Sequence, residues 1–301
     1  MTEVNLLLEV VHALREISQQ LNRLASQLER LHEGSVPSAQ TPRIALSIPD
    51  TFRPDAQFLM QKLMRFCEAR GIDLVEHAPE QPANAVERER RHLARFMVEH
   101  HGLLAPLLEL MRGTLASPRK MSRKVAHLDA EQLSIVTNFL TRLYQLYILD
   151  YYVYNRSERA VSFRVRKQPF AQNFLSGQWF EMGVAERVKR LLNSHPCVIF
   201  RNARFQSAQG GCFEVDILIA LWACGEFRLA ALECKSAGTL VEEELGQIRR
   251  VASVLNLSAA RCAVVFPKPL SEAQAKLWFE QTGASMESLQ SLSVFLQSLT
   301  E

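Results

Sequence analysis

The sequence predicts an α/β protein with a mixed sheet flanked by helices in its C-terminal part and a mainly helical N-terminal region that begins in a coiled coil. Leucines at heptad spacing occupy residues 4–32, and helix-type patterns dominate residues 84–148. After residue 177 the order becomes helix, three strands, helix and strand, which is typical of a compact α/β unit. The 301 residues are 48% hydrophobic and 22% charged, enough for about two domains.

Composition excludes several classes of protein. No apolar run has the length of a membrane span, and acids near the start of the chain argue against a secretory signal. The six cysteines form no C-x-x-C pair, which favours reduced thiols in the cytoplasm over a zinc ribbon. The eight histidines show no metal-ligand spacing, so we expect them on the surface or in linkers. We therefore expect a cytoplasmic protein without a membrane partner.

Residues 1–34 are predicted to be a coiled-coil oligomerisation helix. The repeating apolar positions are Leu7, Leu14, Leu21 and Leu28, with Val10, Ile17, Leu24 and Leu31 three residues later. A seam of two positions per heptad is narrower than the stripe that a globular helix buries, so it favours a homo-oligomer through residues 4–32. Packing of the same stripe on the chain's own core is the alternative. The segment Gly34–Ser38 ends the helix and opens a linker.

Residues 35–83 are predicted to be this linker and a small β-α-β-like segment. Its parts are a strand at Ile44–Ile48, a helix at Asp55–Arg70 closed by Gly71, and a strand at Ile72–Glu76. One such unit without a glycine-rich phosphate loop is too small for a nucleotide-binding domain.

Residues 84–170 are predicted to be a helical region that binds nucleic acid. Helices are expected near 86–112 and 129–148, followed by a hairpin from Tyr151–Tyr154 and Ala160–Arg166. A winged helix and an all-helical connector with an edge hairpin both fit this order. The chain carries a net charge of only +3, but its basic residues concentrate between 110 and 213, which suits a polyanion. The candidate contacts are Arg119, Lys120, Arg123, Lys124, Arg164, Arg166 and Lys167.

Residues 171–301 are predicted to carry the chemistry. A helix at Gln178–Asn193 precedes strands near Cys197–Phe205, Cys212–Trp222 and Phe227–Lys235. A helix at Leu240–Leu257, a strand at Cys262–Phe266 and terminal helices after Pro269 follow.

Acidic side chains interrupt two of these apolar strands. Strand alternation predicts Phe213, Val215, Ile217 and Ile219 on one face, which leaves Glu214 and Asp216 together on the other. The next strand places Glu233 and Lys235 on one face and Cys234 on the opposite face. Charges within apolar strands are costly unless they are paired or bind a metal, and carboxylate oxygens are the ligands that Mg²⁺ prefers.

The preceding helix adds a further acid. Its predicted apolar stripe is Phe180, Val184, Val188 and Leu191, and Glu181 borders that stripe. On the later helix, Leu245, Ile248, Ala252 and Leu255 are expected to pack inward, with Gln247 at the edge of the stripe.

The ordered set of Glu181, Glu214-x-Asp216 and Glu233-x-Lys235, with Gln247 on the following helix, resembles the PD-(D/E)xK nuclease superfamily and its restriction-endonuclease-like fold. The segment Phe174–Glu181 is similar to the motif that opens the nuclease domain in one branch, the CRISPR-associated ancillary nucleases activated by cyclic oligoadenylate. Residues 1–110 differ from that branch, because they predict no full ligand-sensing Rossmann-like domain.

The resemblance implies Mg²⁺- or Mn²⁺-dependent hydrolysis of phosphodiester bonds, with DNA favoured over RNA and a role in defence against foreign nucleic acid. It implies metal binding by Asp216, Glu233 and the Cys234 carbonyl, with Glu181 or Glu214 as an outer ligand and Lys235 orienting the attacking water. The alternatives are a surface salt-bridge ladder, an inactive nucleic-acid-binding scaffold of the same fold, and an oligomeric interaction protein.

Overall fold

A computed structural model describes residues 53–78, 84–207 and 211–301. The predicted coiled coil of residues 4–32 and the predicted strand Ile44–Ile48 lie outside these residues. The described chain forms a six-stranded mixed sheet, in the order β1-β5-β6-β7-β8-β9, and a three-stranded sheet, in the order β2-β4-β3. The strands are β1 Ile72–Ala78, β2 Met121–Lys124, β3 Leu149–Asn155, β4 Ala160–Val165, β5 Cys197–Ser207, β6 Cys212–Ala223, β7 Glu226–Cys234, β8 Cys262–Phe266 and β9 Ser285–Ser288.

Helices cover both faces of the large sheet. They are α1 Ala56–Glu68, α2 Ala85–Glu99, α3 His101–Arg112, α4 Ala130–Gln145, α5 Pro169–Asn173, α6 Trp179–Leu191, α7 Glu242–Val254, α8 Glu272–Thr282 and α9 Leu292–Ser298. A π-helical turn, Phe174–Gln178, joins α5 to α6. The predicted mixed α/β fold with flanking helices is confirmed. No helix among the described residues is long and apolar enough to cross a bilayer.

Two hydrophobic clusters lie on opposite faces of the large sheet. The first contains buried residues of α2, α3, α4, α6 and α9, and it continues under the three-stranded sheet. The second contains buried residues of α1, α7 and α8. The predicted stripe Leu245, Ile248, Ala252 and Leu255 is buried in this second cluster.

Helix α6 packs very closely on α2, which fixes the position of the acid that α6 carries. A Cβ on Gly183 would clash with Val98 Cγ2 and would lie 2.7 Å from the Ala94 carbonyl oxygen, so only glycine allows this approach. Phe180, Val184 and Val188 are buried as predicted. Leu191 is exposed and Leu192 is buried in its place, because α6 ends at Leu191 and the chain turns there.

The region 84–170 contains a strand that the sequence pattern missed. We expected the basic segment around Arg123 to connect two helices, but Met121–Lys124 forms β2 and pairs antiparallel with β4. The all-helical connector is therefore wrong. The order β2-β4-β3 is compatible with the winged-helix alternative, in which the first strand pairs with the second strand of the hairpin.

The predicted alternation along β6 is wrong at one point. Phe213 and Val215 lie in the second cluster, whereas Ile217 and Ile219 lie in the first, so the buried face changes at Asp216. The paired strand β5 carries Asn202 in a left-handed conformation, with φ 52°, between the residues paired with Val215 and Ile217. A residue other than glycine with a positive φ is uncommon, and such backbone conformations cluster at functional sites.

Candidate functional site

The candidate active site lies where β6 and β7 separate. The two strands pair antiparallel from the residue pair Ala223 and Glu226 to the residue pair Ile217 and Leu232. Beyond that point the backbone amide of Cys234 donates to the carboxylate of Asp216, with 2.7 Å between the nitrogen and Oδ2. The side-chain carboxylate of Asp216 thus accepts a hydrogen bond that a backbone carbonyl would accept in a continuous sheet. This bond holds Asp216 at the point where the two strands diverge.

Glu233 is the most deeply buried acid of the site, with 2% of its surface exposed. Its Oε1 is buried and has no hydrogen-bond partner among the described residues. Its Oε2 lies 3.9 Å from Lys235 Nζ, a distance at which the ammonium only partly offsets its charge. A buried carboxylate oxygen without a partner is costly, so this atom is suited to contact a cation or to carry a proton.

Lys235 is held by a residue that the sequence did not predict. Its Nζ lies 3.0 Å from Glu244 Oε1, and the other oxygen of Glu244 accepts from the Val241 amide. Burial lowers the pKa of Lys235, but Glu233 and Glu244 outweigh it, so that pKa rises and the side chain stays charged.

The π-helical turn brings Glu181 to the same site. Phe174, Leu175, Trp179 and Phe180 are all buried, so the segment that resembles the nuclease motif is anchored in the first hydrophobic cluster. A Cβ on Gly177 would lie 3.8 Å from Ser236 Oγ and 3.9 Å from Glu181 Oε1, which places this turn against both residues. Such turns occur often at functional sites because they re-aim one helix face.

The acids perturb one another's pKa values. Burial raises the pKa of Glu181 to about 7, with further contributions from Asp216 and Glu214. Burial also raises the pKa of Asp216, against the opposing effect of the Cys234 amide, and it raises the pKa of Glu233 well above its usual range. Buried acids with mutually raised pKa values are a marker of functional sites.

Glu214 and Gln247 lie beside this cluster. The Glu214 carboxylate pairs with Arg204 at 2.7 Å, and the Gln247 side-chain amide donates to the Glu214 carbonyl at 3.4 Å. Both residues line a cavity of about 520 Å³ together with Arg250. Since Arg204 already holds the Glu214 carboxylate, an outer position suits Glu214 better than direct contact with a metal.

The chemistry of the donor set fits a hard cation. Asp216, Glu233 and Glu181 supply oxygen atoms, and Glu233 Oε1 lacks a partner. Within residues 53–78, 84–207 and 211–301, no three or more His, Cys, Asp or Glu side chains are already arranged as a set of metal ligands. The Cys234 side chain is buried in the first cluster, and burial raises the pKa of its thiol, so only its carbonyl is suited to bind a hard cation.

The predicted nucleic-acid contacts divide between the two faces of the three-stranded sheet. Lys124 is exposed, and Lys120 lies 4.9 Å from the ring centre of Tyr151. Arg123 lies on the opposite face of the strand, where it is half-buried on the same side as Met121. Arg119 and Lys167 are exposed.

The two arginines after the hairpin have local partners. Arg164 Nε lies 2.7 Å from Asp150, and the Arg166 guanidinium lies over the Tyr147 ring. Arg119, Lys120, Arg123 and Lys124 form no ion pair in the part of the chain that the structure describes. These four cations are therefore the more available for a polyanion.

Comparisons with known proteins show the fold. The structure is similar to protein VC1899 from Vibrio cholerae, with a TM-score of 0.51 and 16% identity over 79% of this chain and 60% of that one. It is also similar to Can2 from Sulfobacillus thermosulfidooxidans, solved in complex with cyclic tetra-adenylate, with a TM-score of 0.51 and 14% identity over 79% of this chain and 61% of that one.

The chain thus covers about 60% of the length of these two proteins. The sequence matches no protein-family model and no curated protein. The resemblance stated from the sequence is thus confirmed at the level of the fold, and its nuclease motif stays a prediction.

Proposed function

We propose that this protein is a Mg²⁺- or Mn²⁺-dependent nuclease that hydrolyses phosphodiester bonds, with DNA as its preferred substrate and defence against foreign nucleic acid as its role. The convergence of Glu181, Asp216, Glu233 and Lys235 where β6 and β7 separate carries the proposal. The fold similarity to Can2 agrees with it. Self-association through residues 4–32 and binding of nucleic acid by the basic segment belong to the same proposal.

In this proposal, Asp216, Glu233 and the Cys234 carbonyl hold the metal, with Glu181 beside them. When bound, the metal lowers the pKa of a water molecule and neutralises charge on the phosphate. Lys235 stays charged beside Glu244, so it can orient the attacking water and offset negative charge that develops on the phosphate. In the metal-free site burial raises the pKa of Glu181 to about 7, and a cation beside this carboxyl group would lower that pKa again.

A cleavage assay tests this function. We expect the wild type to cut at least one of supercoiled plasmid, single-stranded DNA and RNA with Mg²⁺ or Mn²⁺, and none of them in EDTA. Asp216→Asn should lower the rate about a hundredfold or more, because it removes a charged ligand. Asp73→Asn, an exposed position on β1, is the matched control and should cut like the wild type. A wild type that cuts none of the three substrates would contradict the proposal.

An inactive scaffold that binds nucleic acid is the second candidate. It is favoured by the engagement of Lys235 with Glu244 and by the lack of a ready set of ligand side chains in the described residues. Nucleic-acid binding that is unchanged by divalent cations, without cleavage, would favour this candidate.

A further inference from the structure

A cavity of about 460 Å³ lies at the carboxyl ends of the parallel strands β7 and β8. Its walls come from residues 236–238 after β7, residues 266–271 around the end of β8, and helix α3. Its volume is within the range of small-molecule sites, and the carboxyl edge of parallel strands is where α/β proteins bind ligands.

The charges around this cavity favour an anion. Arg112 donates from Nη1 to the Ser236 carbonyl at 3.2 Å, and its Nε is buried without a hydrogen-bond partner among the described residues. Burial lowers the pKa of Arg112, and the opposing effect of Glu109 is smaller. Lys268 is exposed on the wall formed by residues 266–271, and Glu109 on α3 is the acid that lines the cavity.

His101 also lines the cavity and lies close to both cations. Its ring is buried and stacks on Trp179, with 5.8 Å between the ring centres. Burial, followed by Lys268 and Arg112, lowers the pKa of His101 to about 4, and the opposing effect of Glu109 is smaller. The histidine is therefore neutral at pH 7, and the two cations dominate the field that it experiences.

We propose that this cavity binds one nucleotide, with its phosphate on Arg112 and Lys268. Leu270 and the two prolines that flank Lys268 give the wall an apolar part against which a nucleoside can pack. A phosphate accepts several hydrogen bonds, so it can accept from the guanidinium of Arg112 and from the ammonium of Lys268, which both line the cavity.

The position of the cavity relates it to the acidic site. Ser236 follows Lys235 directly, lines the cavity, and donates from Oγ to the Ser176 carbonyl at 3.0 Å in the turn that precedes Glu181. If the proposed nuclease function holds, a nucleotide of the substrate strand occupies the cavity beside the bond that is cut. A free mononucleotide has the same chemistry and is the other source of the ligand.

Binding measurements in EDTA test the cavity without requiring cleavage. The probes are AMP, adenosine, and a four-nucleotide single-stranded DNA without terminal phosphates, each measured by calorimetry on the full chain. We expect Lys268→Ala to weaken binding of AMP or of the oligonucleotide about tenfold, as removal of a charged hydrogen bond does, and Lys268→Arg to restore it. Lys276→Ala, an exposed lysine on α8 outside the cavity, is the matched control and should leave binding unchanged.

If Lys268→Ala weakens the binding of AMP alone, the ligand is a free nucleotide. If Lys268→Ala weakens the binding of the oligonucleotide, the ligand is a nucleotide of the strand. Either result supports the site. Equal affinities in wild type and Lys268→Ala for both probes, or equal affinities of AMP and adenosine with no oligonucleotide effect, would overturn it. A protein that binds AMP through Lys268 but cuts no nucleic acid would contradict the nuclease proposal and leave the nucleotide site intact.

Discussion

At the scale of single residues, the site depends on acids that the fold places close together. Burial raises the pKa of both Glu181 and Glu233, and Asp216 raises them further, because a charge on one acid disfavours a charge on the others. Arg201 and Lys235 oppose this effect at Glu181 without reversing it. The metal-free protein is therefore destabilised by ionisation of its own site.

Ionisation of Glu181 should make the stability of the metal-free protein depend on pH. Its folded-state pKa of about 7 lies above the ordinary glutamate value of 4.5, so the folded state binds more protons than the unfolded state between these values. We expect the stability of the metal-free protein to fall as pH rises from about 4.5 to 7, and Glu181→Gln to reduce that slope. Denaturant titrations across this range measure it, with Glu158→Gln in the exposed β3–β4 turn as the control. Parallel slopes for wild type and Glu181→Gln would contradict the expectation.

Glu244 provides a second prediction at this scale. Glu244→Gln removes the negative charge that holds Lys235 at 3.0 Å, so we expect cleavage to slow about tenfold or more while folding is retained. The neighbouring Glu243 is exposed, and Glu243→Gln is the matched control. Because Lys235 is less well held in Glu244→Gln, its pKa should fall, and the pH–rate profile should change shape. Identical profiles in Glu244→Gln and Glu243→Gln would contradict a positioning role.

Sequence reasoning finds some of these residues and misses others for physical reasons. Asp216 and Glu233 are predictable because a charge inside an apolar strand needs a partner. Glu244 is not, because it is the last of three acids in the first turn of α7, where acids are common for their effect on the helix dipole. The burial of His101 is not predictable either, since it depends on how α3 meets Trp179.

At the scale of elements, strands with strong apolar patterns are predicted closely and polar ones are not. The strand Cys262–Phe266 has the predicted bounds, and every one of its residues is buried. β2 contains two cations and β9 has the sequence SMES, so neither shows the alternation that identifies a strand. The change of face at Asp216 is also hidden, because the apolar alternation in the sequence of β6 continues regularly through this position.

The three-stranded sheet carries the prediction about nucleic-acid binding. Reversing Arg119, Lys120 and Lys124 to Glu should weaken binding across sequences. The slope of log affinity against log salt should become shallower by about 0.9 for each phosphate of duplex DNA that the variant no longer neutralises. Lys276→Glu on α8 is the control. Fluorescence anisotropy at several salt concentrations measures both quantities, and an unchanged slope in the triple variant would mean that this surface does not bind nucleic acid.

At the scale of the whole molecule, the large sheet joins segments that are distant in sequence. The sequence predicts β1 as part of a small separate segment. In the structure β1 pairs antiparallel with β5, and the end pairs are Ile72 with Ser207 and Ala78 with Arg201. Local periodicity predicts that a strand exists and says nothing about its partner, so this pairing is not predictable. The order of elements from residue 178 to residue 266 is predictable, because each helix and strand there has a clear apolar pattern, whereas β9 is not predicted.

The binding of a divalent cation by Asp216 and Glu233 is the central claim, and thermal melting with and without Mn²⁺ tests it most directly. A cation at about 100 times its dissociation constant stabilises the folded state by about 2.7 kcal/mol, which corresponds to a rise of roughly 4 °C in Tm for a protein of this size. We expect that rise in the wild type and in Lys235→Ala, because lysine is not a metal ligand. In Asp216→Asn the rise should be absent, and the metal-free Tm should be no lower than that of the wild type, since a repulsive charge has been removed. A wild-type Tm that does not respond to Mn²⁺, or an equal rise in Asp216→Asn, would contradict the metal site.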